Sequence, residues 1–197
     1  MAIAQPIIGP MYCAPYPVDI SIVKKLCALS EDSFVVSDVN ENILFKVKGA
    51  LFSLHDRHVL LDAAGNPLVT LIRKMWSAHS RWQVFRGEST EPTDLIFSVK
   101  RSSIFQLKTK LDVFLARNTA EQVPDFTVKG SYFERSCVVF AGESENIVAQ
   151  MHKKRSVQSI LFGKDRFNVT VYPNIDYAFI VSLIVILDEI NRDNSGE

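Results

Sequence analysis

The sequence lacks a surplus of charge of either sign. Lysine plus arginine and aspartate plus glutamate number 22 each in 197 residues, so the formal net charge is zero. A chain that coats nucleic acid through a basic surface carries an excess of one sign, and this one does not. A local basic patch stays open. Cysteine is scarce: Cys13, Cys27 and Cys137 are odd in number and widely spaced. A disulfide framework needs pairs, so reduced thiols and a cytoplasmic or nuclear setting are expected. No charged n-region leading into an apolar h-region opens the chain, and no secretory signal is expected. Position 2 is alanine, not the glycine that N-myristoylation requires.

Motifs that carry chemistry are missing too. None of the eight glycines forms a phosphate-cradling G-x-G-x-x-G. There is no nucleophile elbow, Ser/His/Asp order or catalytic cysteine context, so neither an enzyme nor a cofactor is expected. His55-Asp56-Arg57-His58 invites a metal-ligand reading. No second Cys/His cluster at ligand spacing completes it, and the segment reads as a solvated loop. Asp38, Asn40 and Asn42 match the first half of a calcium loop. Ile43 stands where that loop needs glycine and Gly49 where it needs glutamate, so a hairpin turn explains them better. Glu143 and Glu145 read as solubilising turn residues.

The longest apolar run is too short to cross a membrane, and it organises the rest of the chain. Between Ala178 and Leu187 the one polar residue is Ser182. On a helix these side chains point in every direction, so the segment must be buried all round. Ten residues rise about 15 Å against a bilayer core of about 30 Å. The spacing therefore predicts a helix over 176–190 enclosed by protein, with N-cap candidates at Asn174 and Asp176 and a polar tail over 191–197. Enclosing its large apolar side chains is worth roughly 14 to 27 kcal/mol gross, at about 1.5 to 3 each.

Upstream, the hydrophobic pattern has period two from Val18 onward. Phe45 and Val47 should face in, with Lys46 and Lys48 facing out. About a dozen strands separated by turn residues are the signature of a sandwich or barrel. Ser156–Phe162 fits a short helix and a strand equally. Phe45–Gly49 aligns with Phe126–Gly130 and, after a two-residue deletion, Val69–Lys74 aligns with Val148–Lys153. Two related halves suit a closed sheet; chance similarity of short strands is the alternative. A dozen closed strands leave an interior wider than side chains can fill, and the apolar helix would fill it. The expected fold is mainly β. It is a closed, mostly antiparallel barrel of about twelve strands enclosing a hydrophobic C-terminal α-helix, one domain over 18–190. Residues 1–17, with Pro6, Pro10, Pro15 and Pro17, should form an extended or mobile arm. Cys13 within it is a candidate for lipidation or simply an unmodified thiol.

Asp62–Leu68, Leu71–Lys74, Trp82–Gly87 and Val99–Ser103 together resemble the plant LURP-one-related proteins, and the resemblance runs from Val18 onward. That family is similar in fold to the tubby C-terminal domain and to phospholipid scramblases. The resemblance implies a twelve-stranded barrel around a central helix, phosphoinositide binding, membrane-tethered transcription regulation and a role in pathogen defence. Its motifs are structural, so they identify the family better than the activity.

The candidate headgroup-binding residues come from charge. They are Arg73, Lys74 and Arg81, near Trp76, and the dense run Lys153, Lys154 and Arg155. Each base beside an anionic leaflet is worth about 1 kcal/mol. The bland reading of such runs is a solvated strand end. The expected partner is anionic phospholipid at a membrane surface, with no membrane span and no direct nucleic-acid contact. The location expected is the cytoplasm, peripheral at the plasma membrane, with the nucleus open. A protein-interaction module in defence signalling without a lipid ligand is the alternative.

Overall fold

In a computed structural model the structure describes residues 6–24, 32–49, 57–74, 81–102, 109–132, 134–153 and 165–195. Period-two segments become strands Val18–Lys24 (β1), Asp32–Ser37 (β2), Ile43–Gly49 (β3), Arg57–Asp62 (β4), Pro67–Lys74 (β5) and Arg81–Arg86 (β6). The second half supplies Leu95–Arg101 (β7), Thr109–Leu115 (β8), Phe126–Gly130 (β9), Val138–Ala141 (β10), Ile147–Lys153 (β11) and Asp165–Val171 (β12). Each strand pairs with its sequence neighbours, and β1 pairs antiparallel with β12 to close a barrel. Ser156–Phe162 lies outside the described residues.

The wall is apolar inside and polar outside. Phe45 and Val47 are buried, while Lys46 and Lys48 lie on the outer face. A membrane-spanning barrel has the reverse pattern. Equivalent strands of the proposed repeat, β3 with β9 and β5 with β11, lie six places apart in the ring of twelve, diametrically opposed. Bulges at matching positions, Leu60/Leu61 and Val139/Phe140, support the duplication. The pairing register makes Arg73, rather than Lys74, the counterpart of Lys153: Arg73 pairs with Trp82 and Lys153 with Phe167.

The C-terminal helix, α1, spans Tyr177–Ser195 and fills the barrel. Ala178 to Leu187 are at most 3% exposed. Ser182 donates its hydroxyl to the Ala178 carbonyl at 2.9 Å, which satisfies the one polar side chain in that run. Phe179 packs edge-on against Phe97 at 5.1 Å. Among the described residues no helix is long and apolar enough to cross a membrane.

Asp176 caps α1 as the sequence suggests, accepting from the Ala178 and Phe179 amides at 3.1 Å each. Its second oxygen accepts from the amides of Ile7, Ile8 and Gly9 at 3.2, 2.7 and 3.0 Å. The N-terminal arm is therefore docked over this end of the barrel from residue 6, not extended or mobile. It includes a 3-10 turn at Pro10–Tyr12. Tyr12 packs on Phe45 and Tyr177, with ring centroids 5.5 Å away in both cases.

At its other end the helix runs beyond the expected boundary, and the polar residues that should mark its exit are buried. Asp188, Glu189 and Asn191 are 3%, 4% and 5% exposed. Lys24 meets the Asp188 carboxylate at 2.8 and 3.0 Å, and the Tyr132 hydroxyl donates to it at 2.6 Å. His58 belongs to β4 rather than to a solvated loop, and its Nε2 lies 3.4 Å from Glu189. Thr109 donates to the Asn191 side chain at 3.3 Å. Burial disfavours the Glu189 carboxylate, but the His58 hydrogen bond and the charges of His58, Arg192 and Lys24 outweigh it. Its pKa falls below the ordinary value of 4.5.

Asp176→Ala removes the cap and frees three arm amides, so it should cost roughly 3 to 5 kcal/mol in urea unfolding. It should also expose residues 6–17 to protease; an unchanged midpoint and cleavage pattern would refute the double role. Glu189 contributes stability that is fully present above its unfolded pKa and lost as pH falls through the lower folded value. Between pH 6 and pH 3.5 the wild type should therefore lose more stability than Glu189→Gln. Equal losses would contradict the pairing.

Candidate functional site: a basic collar

An up-and-down barrel sends its connections alternately to two ends, and here those ends differ in charge. Every odd-numbered strand carries lysine or arginine in its last two residues: Lys24 on β1, Lys48 on β3, Arg73 and Lys74 on β5, Lys100 and Arg101 on β7, Lys129 on β9 and Lys153 on β11. All odd strands point the same way, so these bases form a collar around the C-terminal end of α1. The opposite end is acidic. Asp38 and Glu41 follow β2, Asp62 ends β4, Glu88, Glu91 and Asp94 follow β6, Glu143 and Glu145 follow β10, and Asp176 follows β12. Its bases are Arg86 and Arg117. A net charge of zero thus conceals a polar molecule.

Local sequence explains the tight acidic turns. Asp38 accepts from the Asn40 and Asn42 amides at 2.8 and 2.9 Å and from the Asn42 side chain at 2.8 Å. Asp62 repeats the motif with Asn66 at 2.8 and 2.9 Å. These bonds hold both carboxyls below the usual range, led by the side-chain amides of Asn42 and Asn66. The partial match to a calcium loop is thus a self-satisfied hairpin turn.

Five of the bases at this end fall into three groups. Lys24 turns inward to Asp188 and neutralises a buried carboxylate. Arg81 and Lys100, paired across β6 and β7, both contact Glu121. Glu121 belongs to the β8–β9 connection, which folds back against the outside of the wall to reach them and the Ser98 hydroxyl, 3.1 Å away. Burial raises the Glu121 pKa, but the Lys100 hydrogen bond, the Arg81 charge and the Ser98 hydrogen bond bring it below its ordinary value. Arg81 is therefore engaged within the fold. Lys74 and Lys129 are exposed on the outer rim, Lys129 with its amine 5.2 Å from the Phe140 ring centroid.

The structure thus brings Arg73, Lys74 and Arg81 together on the β5–β6 hairpin, where Lys74 pairs with Arg81. Lys153 stands at the same end but across the barrel. Lys154, Arg155, His55, His79, Trp76 and Cys27 lie outside the described residues. His152 is exposed and 3.2 Å from the Thr170 hydroxyl. Sequence reasoning missed Lys24, Lys48 and Lys129 as collar members. The signal was present as a base in the last two residues of alternate strands, but it needed the strand count to be read. Among the described residues no cluster of three metal-ligating side chains occurs. Cys13 is half-buried and forms an isolated bridge with Asp176; Cys137 is buried, which pushes its thiol up to about 12.

Residues 18–188 match the LURP-one-related family. LURP-one-related 15 of Arabidopsis thaliana is 62% identical over 95% of this chain and 87% of its own length. LURP-one-related 10 and LURP1, from the same plant, are 57% and 51% identical, covering 97% and 94% of this chain and 99% and 90% of their own. A crystal structure of an Arabidopsis thaliana protein superposes with a TM-score of 0.75 at 54% identity, covering 94% of this chain and 98% of that one. A match that spans every strand and reaches Asp188 in α1, joined to the high identity of these relatives, makes the chain a member of the LURP-one-related family.

Proposed function

We propose that the basic collar binds anionic phospholipid headgroups, phosphoinositides among them, and that the domain works without catalysis as a peripheral membrane module. The observation that carries this reading is the gathering of bases at one end of a molecule whose net charge is zero. A collar whose members face one another across a barrel suits a plane of many headgroups better than one small anion. Each base contributes about 1 kcal/mol near an anionic leaflet, and the sum falls with salt. The acidic end then points away from the membrane, which fixes the orientation. The location implied is the cytoplasmic face of the plasma membrane, with a regulatory role in plant defence and a kinship to tubby-like and scramblase-like domains. A second reading, a protein-interaction module in defence signalling, is favoured by the acidic end.

Co-sedimentation with phosphatidylcholine vesicles, with and without phosphoinositide, tests the first reading. Binding should require the phosphoinositide and weaken with salt. Lys74→Glu, Lys129→Glu and Lys153→Glu together should weaken it roughly a hundredfold, from about 1 kcal/mol lost per base. Adding Lys154→Glu and Arg155→Glu should weaken it further. Vesicle binding indifferent to these changes would remove the collar from the site.

A further inference from the structure

A closed sheet has no edge strand to extend, and α1 occupies its interior, so a protein partner must meet the wall or an end. The end that holds the N-terminus of α1 has features that protein docking needs. Met11, Tyr16, Val39, Ile43, Ile147 and Tyr172 are all exposed there, Val39 at 73%, Met11 at 70% and Tyr16 at 64%. Met11 and Tyr16 are on the docked arm, Tyr16 just before β1, and the others sit at the ends of β3, β2, β12 and β11, so the set spans five consecutive places in the ring. Single exposed apolar side chains are ordinary, whereas a run of neighbours marks an interaction surface.

A cleft of about 210 Å³ opens in the same arc, between the β2–β3 turn and the outer face of β1 and β12. Asp19, Asp38, Val39, Glu41, Arg166 and Asn168 line it. A cleft of this size admits one long side chain. Arg166, the base in the cleft, donates from Nε to the Ser21 hydroxyl at 2.9 Å and lies 3.5 Å from Glu41. Asp19 accepts from the Thr170 hydroxyl at 2.6 Å, and Asp38 serves its own turn. The Asn168 side-chain oxygen is buried with no hydrogen-bond donor. Three carboxylates against one guanidinium leave the cleft negative.

We propose that this end docks a polypeptide segment in which basic and apolar side chains alternate. One lysine or arginine enters the cleft toward Asp19, Glu41 and Asn168, and its apolar neighbours cover Val39 and Tyr16. The site is independent of whatever the collar binds, so a domain held to a membrane by one end presents the other to a protein.

Fluorescence anisotropy of the full chain with labelled heptapeptides tests it. An alternating Lys-Leu peptide should bind, a Lys-Ser peptide at least tenfold more weakly, and a Glu-Leu peptide not at all. Glu41→Lys with Asp19→Asn should weaken Lys-Leu binding at least tenfold, and so should Val39→Ser with Tyr16→Ser. All four positions are on the surface, and circular dichroism checks that the variants fold. Lys74→Glu with Lys129→Glu should leave peptide binding unchanged, and the acidic-end variants should leave vesicle binding unchanged. Absence of Lys-Leu binding overturns the proposal, as does equal binding of Lys-Ser, which would mean charge attraction alone. Concentration-dependent self-association in sedimentation, abolished by Lys74→Glu with Lys129→Glu, would assign the face to a second copy and also overturn it.

Discussion

Enclosure of α1 is the constraint on which the fold depends. A helix without a polar face cannot lie on a surface, so the sheet must close around it. Closure needs about twelve strands to make room, and two similar halves meet that need economically. Burying a helix also buries polar groups near its ends, and these must find partners. Asp176 answers at one end by capping the helix and holding the arm that covers it. At the other end Lys24, His58 and Tyr132 meet Asp188 and Glu189 inside the mouth.

Those two solutions differ in sign, and the difference extends to the surface. The end that receives the negative pole of α1 is ringed by lysine and arginine. The end that receives the positive pole is built from Asp-initiated turns. Part of the basic collar therefore serves the fold: Lys24 neutralises a buried acid, while Arg81 and Lys100 hold the β8–β9 connection through Glu121. The exposed remainder, with Lys74 and Lys129, is left facing solvent. A barrel plugged at the core and sealed at the edge leaves its two ends as distinct polar surfaces, opposite in charge.

Much of this was legible in one dimension. The all-round apolar run fixed the helix because the 3.6 period leaves no other face to hide. Strands such as Pro67–Lys74 and Arg81–Arg86 appear with the boundaries their alternation suggests. The failures share a cause. His58 read as a solvated loop residue because an ionisable group in a sequence does not show its partner, and that partner, Glu189, lies on α1. The proline-rich arm read as mobile because the carboxylate that docks it is 169 residues from Ile7.

By itself, then, the sequence determined that a greasy helix had to be wrapped by a mainly β sheet, since hydrophobic periodicity is local and survives without coordinates. It also determined the family, whose motifs sit in the strands. Only the tertiary structure decided which charges are spent on the fold, which stand exposed, and that they separate by end. Charge segregation depends on strand direction and ring position, and neither exists until the barrel closes.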